Sequence, residues 1–274
     1  TGAAGSIGSE IVRQVLLFNP KRIIVLDQAE TPLHHLFLEL NASETKTKMK
    51  FVVADIRNLE AMDHVFKVHQ PQVVFHAAAY KHVPLMEENP SQAILTNIQG
   101  TKNIADLSCH YKVKKFVMVS TDKAVNPSNV MGASKRIAEK YVQSLHLISS
   151  NTKEGHTTKF ITTRFGNVLG SIKLAGFQPE VDIKIKIVGL RPGEKLYEEL
   201  LNDTSKTKPT YHEKIMIAEE IIDEYINLHY DIDKLLLAAI QYNNDDSVRI
   251  MKKIVPEFKS MNSSYEVLDK VVTA

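Results

Sequence analysis

Short apolar runs alternate along the chain with stretches whose apolar residues recur every three or four positions. The runs are Arg22–Asp27, Phe51–Asp55, Gln72–Ala78, Lys115–Thr121 and Lys159–Phe165. Their length and near-continuous apolarity predict buried parallel strands. Helical spacing marks Ile7, Ile11, Val15 and Leu16, then Leu59, Met62, Val65 and Phe66, and two longer segments at 91–111 and 131–148. Strands alternating with helices predict an α/β fold, a doubly wound parallel sheet of the Rossmann type. Ligands of such sheets bind beyond the carboxyl ends of the strands. The rhythm breaks after Leu169. One strand is expected at Ile183–Val188 and a helix at Glu194–Leu201, with a polar loop at Asn202–Pro209. The stretch from Ile215 to Val271 reads as helical throughout.

Composition narrows the picture slightly. The chain has 274 residues, 43% hydrophobic and 24% charged, which is ordinary for a globular protein. With 34 basic and 32 acidic residues the net charge is +2, so a nucleic-acid partner is not expected. The basic stretch Lys112–Lys115 reads as a solvated loop. The lone cysteine, Cys109, reads as a small core residue in a reducing, cytoplasmic setting. No apolar run is long enough to span a membrane, and no signal peptide is visible. The sequence opens inside a glycine-rich turn, and such a turn calls for a strand in front of it.

That turn carries the first candidate chemistry. Gly2, Gly5 and Gly8, with Ser6 and Ile7 between them, lead straight into a helix. Glycines let the backbone approach a pyrophosphate, and a helix N-terminus offers free N–H groups to it. Asp27, followed by Gln28, ends the next strand where a carboxylate would accept both hydroxyls of an adenosine ribose. It would also repel a 2′-phosphate, which favours NAD over NADP. Asp55, followed by Ile56, ends a further strand. It could reach the adenine amino group or cap the helix that follows.

The second candidate is Thr121-Asp122-Lys123 at a strand end, with Met131 and Lys135 opening a helix beyond it. Residues four apart share a helix face, so position 131 and Lys135 point to one place. The arrangement resembles the Ser/Thr and Tyr-x-x-x-Lys site of the extended short-chain dehydrogenase/reductase family, with Met131 where the tyrosine stands. Other matching pieces are His76 with Ala77, Ala78 and Ala79, then Asn97, and Arg164-Phe-Gly-Asn167. Taken with the stretches HAAAYKHVPLME, VSTDKAVNPSNVMGASKR, RFGNVLGS and GLRPGEKLYEELL, the chain looks like a polysaccharide-biosynthesis UDP-N-acetylglucosamine 4,6-dehydratase. Larger members of that subfamily carry methionine at this position and have a membrane-anchored N-terminal region.

The resemblance implies a reaction in three steps on bound NAD. Hydride leaves sugar C4, water is lost across C5 and C6, and hydride returns to C6. It implies Lys123 as the base at C5 and Asp122 as the acid at C6, with Lys135 on the nicotinamide ribose. A relay through Thr121 to Lys123 or water would take the C4 hydroxyl proton. Lys81, His82, Asn167, Arg191 and Glu194 are expected at the UDP-sugar; an Arg191–Glu194 ion pair is the competing reading. No metal is called for. Residues 1–171 are expected to form the NAD-binding domain, and 172–274 an incomplete substrate region plus C-terminal helices. Much of the segment that the family places between Ser171 and Gly189 has no counterpart here. The helices at 84–111 and 131–148 could build a dimer bundle, so a homo-oligomer is expected. A nucleotide-sugar 4-epimerase and an inactive NAD-binding module are the alternatives. Asp122-Lys123 and the missing tyrosine argue against the first.

Overall fold

The computed structural model describes residues 1–42, 46–151, 158–166, 189–195, 207–210, 215–218 and 225–271, with Gln178, Tyr197 and Glu199 singly. Strands β1 (Arg22–Asp27) and β2 (Lys48–Val53) pair in parallel. So do β3 (Val73–His76), β4 (Lys115–Val119) and β5 (Lys159–Thr163). Residues 1–3 run between the two groups. The Thr1 nitrogen donates to Phe75 O at 2.9 Å, Ala77 N to Thr1 O at 3.1 Å and Ala3 N to Leu26 O at 3.1 Å. The order across the layer is therefore β2, β1, residues 1–3, β3, β4, β5. This is the doubly wound arrangement expected from the alternating pattern.

Helices α1 (Ser6–Leu16), α2 (Glu30–Asn41) and α3 (Leu59–His69) connect the first strands. After β3 the chain forms α4 (Val83–Glu88) and α5 (Pro90–Ala93), a π-helical turn (Ile94–Gln99) and α6 (Gly100–His110). The spacing predicts one helix over 91–111; the structure widens its middle. Helix α7 (Val130–Asn151) leads from β4 to β5. Core formation follows the apolar spacing: Met62, Ile94, Ile98, Ile104, Phe116, Met118 and Ile137 are all fully buried together.

The C-terminal half departs from expectation in several places. Met216–Ala218 (β7) is a strand, antiparallel to Thr207–Pro209 (β6), which the sequence places in a loop. A short run of helical spacing does not distinguish a helix from a hairpin arm. The described residues of 194–201 are not helical, and Ile183–Val188 lies outside the described residues. Helices α8 (Tyr225–Ile240) and α9 (Asn244–Ile254) do form, and Ile232, Leu235, Val248 and Met251 join the same core as α7. Among the described residues no helix is long and apolar enough to cross a membrane.

Candidate active site

A cavity of about 570 Å³ opens at the carboxyl ends of β1 and β3. Gly2, Gly5, Ser6, Ile7, Gly8, Asp27, Gln28, Ile56, Ala77, Ala78 and Ala79 line it, together with Lys81 and His82. The turn that builds its floor needs glycine. Gly2 has φ +66°, and a Cβ there would lie 2.4 Å from Ala78 N; a Cβ on Gly8 would lie 1.9 Å from Gly2 O. No side chain caps α1, so its first N–H groups remain free for an anion. Asp27 is held in place by two backbone donors, Ala4 N and Ala29 N, both at 2.9 Å. Each carboxylate oxygen keeps acceptor capacity for a ribose hydroxyl. This donor and acceptor set fits a dinucleotide.

Asp55 is placed differently. It does not line the cavity, and its carboxylate takes Arg57 Nε at 2.7 Å and Arg57 N at 2.9 Å. Burial works to raise its carboxyl, but the Arg57 bonds outweigh that and hold it below the usual range. The cap of α3 is Asn58, which accepts from Ala61 N at 2.9 Å. Helix capping was one expected role of Asp55; the shorter reach from Asn58 takes it over. Thr96 is a cavity residue that the sequence reading passed over. It sits in the π-helical turn, 4% exposed, and its hydroxyl has no partner. Its only signal in the sequence is its place beside Asn97.

The strand-end cluster lies at the carboxyl end of β4, next to β3 in the layer. Pairing with β5 continues past the strand, with Ser120 N on Thr163 O at 2.7 Å and Asp122 N on Phe165 O at 3.3 Å. Asp122 is buried, and its Oδ1 accepts from Thr121 Oγ1 at 2.7 Å, Lys123 N at 2.9 Å and Lys123 Nζ at 3.1 Å. A hydroxyl, a carboxylate and an amine therefore share one oxygen. Lys135, on α7, is buried and donates to Val119 O at 2.9 Å. Burial pushes its ammonium down to about 8, partly opposed by Glu139. Met131 is 2% exposed and packs in the main core, so its thioether serves as filling. His76 is neutral. Burial, then the charge of Lys135, holds it well below the usual histidine value. Thr101 Oγ1 donates to Asn97 O, so it accepts from His76 Nε2, and Thr1 Oγ1 donates to His76 Nδ1.

Long-range contacts aim α7. Glu87 on α4 is buried; it accepts from Val130 N at 2.6 Å and from Ser263 Oγ at 2.5 Å. A carboxylate at a helix N-terminus is favourable. Asn97 accepts from Tyr80 N at 2.8 Å and donates to Tyr80 O and to Ser134 Oγ, each at 2.9 Å. The π-helical turn presents it to both the loop after β3 and α7. Gly132 leaves room for Lys123 O, 2.1 Å from where its Cβ would be. Gly193, at φ +82°, accepts from Ser128 Oγ and Asn129 Nδ2, each at 2.8 Å, and seats the Arg191–Lys195 loop on the start of α7.

Of the remaining candidates, Arg191 is exposed and forks onto Glu194 at 2.9 and 2.6 Å, as the competing reading expected. The hydrogen bond from Arg191 lowers the Glu194 carboxyl; Lys123 adds a smaller contribution, which places that amine nearby. Asn167 lies outside the described residues, as do 171–177 and 179–188, within the stretch between Ser171 and Gly189 where the family segment was expected to be short.

The polysaccharide biosynthesis protein family matches residues 1–173 and 172–220. The chain is 38% identical to the capsular polysaccharide biosynthesis protein CapD of Staphylococcus aureus over 92% of its own length and 52% of the relative's. It is 36% identical to a UDP-N-acetylglucosamine 4,6-dehydratase (inverting) of Campylobacter jejuni subsp. jejuni, across 62% of this chain and 48% of that one. A UDP-glucose 4-epimerase of Rickettsia rickettsii is 35% identical over the same shares, 62% and 48%. The chain thus spans about half the length of these relatives.

Proposed function

Because the chain belongs to the polysaccharide biosynthesis protein family, we propose that it dehydrates a UDP-N-acetylhexosamine, UDP-N-acetylglucosamine by preference, to the 4-keto-6-deoxy sugar. The observation that carries this reading is the Thr121, Asp122 and Lys123 cluster on one buried carboxylate oxygen. An epimerase has no use for an acid at C6. NAD, when bound, would supply the acceptor for the C4 hydride and its donor at C6. Gly2, Gly5 and Gly8 would admit its pyrophosphate, Asp27 its adenosine ribose, and Lys135 its nicotinamide ribose.

The chain's own groups supply the proton transfers. Lys123 removes the C5 proton, Asp122 delivers one to the departing C6 hydroxyl, and Lys123 returns the proton to C5 when hydride reaches C6. The 3.1 Å contact between Lys123 Nζ and Asp122 Oδ1 supports both roles. Passing one proton from amine to carboxylate makes the base and the acid together, with no change in the pair's net charge. Thr121 holds the C4 hydroxyl and relays its proton to Lys123 or water, because Met131 cannot. The capsular relative supports a place in surface-polysaccharide synthesis.

Incubation with UDP-N-acetylglucosamine tests the reading. A 4-keto-6-deoxy product with no net change in NAD is expected. A 4-epimer would assign the chain to the epimerases. No product, with NAD tightly bound, would leave a binding module.

A further inference from the structure

At the edge of the layer opposite the cavity, the described strand entries gather a cluster of cations. The chain enters each strand there, and every charged side chain in the described parts of these entries is a cation. Lys21 and Arg22 open β1, and Lys46 and Lys48 open β2. Lys112, Lys114 and Lys115 open β4, and Lys159 opens β5. All are exposed. With a net charge of only +2, this is segregation of charge rather than excess.

The strand register sharpens the point. Arg22 stands directly opposite Lys48, and Lys115 opposite Lys159. Like charges facing each other across strands are destabilising. Two carboxylates in the helices that return to this edge pair with other cations: Glu39 binds Arg13 and Asp106 binds Lys102. His69 reports the same field, since burial and then Arg22, Lys50 and His64 hold its ring below the usual value.

Large apolar side chains sit among these cations. Leu17 and Phe18, at the end of α1, are 72% and 84% exposed, and Val68, at the end of α3, is 53% exposed. Aliphatic groups such as Leu17 and Val68 have no π-face to stack on a base, which disfavours a nucleic acid. Lysines interleaved with exposed apolar groups match a surface with anionic headgroups above hydrocarbon. We propose that the amino-end edge of the sheet docks on an anionic lipid bilayer. Docked so, the cavity at the carboxyl ends faces away from the membrane and stays open to a soluble substrate.

Co-sedimentation of the whole chain with vesicles tests this. Binding is expected to equal mixtures of phosphatidylcholine and phosphatidylglycerol and not to phosphatidylcholine alone. It should be lost at about 1 M salt, where the screening length falls to about 3 Å. Combining Lys114→Glu, Lys115→Glu and Lys159→Glu should weaken partition by on the order of 100-fold. Phe18→Ser should weaken it roughly tenfold. Turnover in solution should not change in either variant. If the triple variant does not fold, Lys21→Glu with Lys46→Glu is the replacement. Equal binding to neutral vesicles, or undiminished binding by the charge-reversed variant, overturns the proposal. So does retention of a DNA duplex without any vesicle binding, which would assign the edge to nucleic acid.

Discussion

The two parts of the candidate site are held by different means. The cavity at the glycine turn is built of backbone. Its floor is a glycine turn where added Cβ atoms would meet Ala78 N or Gly2 O, and its one carboxylate, Asp27, is fixed by two main-chain N–H groups. The strand-end cluster is built of buried side chains. Asp122 gathers three donors, and the helix facing it is aimed by Glu87, Asn97 and Gly193 from three other segments. A backbone site tolerates exchange of most side chains but not a gain of volume at glycine. A side-chain network tolerates neither loss nor exchange, because each deletion strands a buried partner.

Four measurements can break or sharpen this contrast. The largest effect is expected at Lys123→Ala. Turnover should fall by about 10²- to 10⁴-fold while NAD affinity holds; near-normal activity would sink the base assignment. Gly8→Ala should do the reverse, abolishing NAD binding and costing about 1–3 kcal/mol of stability through a backbone clash. Titration of the cofactor and thermal melts read both, and unaltered cofactor affinity would show that the turn is not the pyrophosphate site.

Glu87→Ala comes next. It leaves the buried Val130 N–H without its acceptor and should cost about 1–3 kcal/mol in denaturant unfolding, with Glu87→Gln recovering part of it. A neutral Glu87→Ala would mean that α7 does not depend on this cap. The smallest effect is a slope. Folded Lys135 loses its proton near pH 8, and the unfolded chain near 10.5, the ordinary lysine value. The unfolded state therefore binds more protons between those values, and Lys135 makes stability climb with pH across that window. Lys135→Met should remove the climb. Parallel stability–pH curves for the two proteins would show that Lys135 is not buried as a strained cation.

The same division decides what could be read from the chain. The strands β1, β3, β4 and β5 were legible because an apolar run is a local signal. Their boundaries shifted by a few residues where pairing stops. Gly2, Gly8 and Asp27 were legible because they lie within one strand–turn–helix unit of contiguous sequence. Thr121, Asp122 and Lys123 stood out as chemistry without a partner. Their sharing of a single oxygen needed the turn after β4. Asp55 as helix cap was displaced by Asn58, three residues on, a choice that turns on reach. The β6–β7 hairpin was invisible because each arm has three residues, too short to show a period.

By itself the sequence determined the α/β class, the glycine turn and the residue types able to bind a dinucleotide and move protons, since local spacing encodes each of these. Only the tertiary structure decided what Met131 does. Read in the sequence, it is a lost catalytic tyrosine. In the fold it is a buried core residue at the start of a helix whose direction is set by Glu87, Asn97 and Gly193, and none of these lies within thirty positions of it in the chain. Burial and helix aim are sums over distant contacts, and no local pattern carries such a sum.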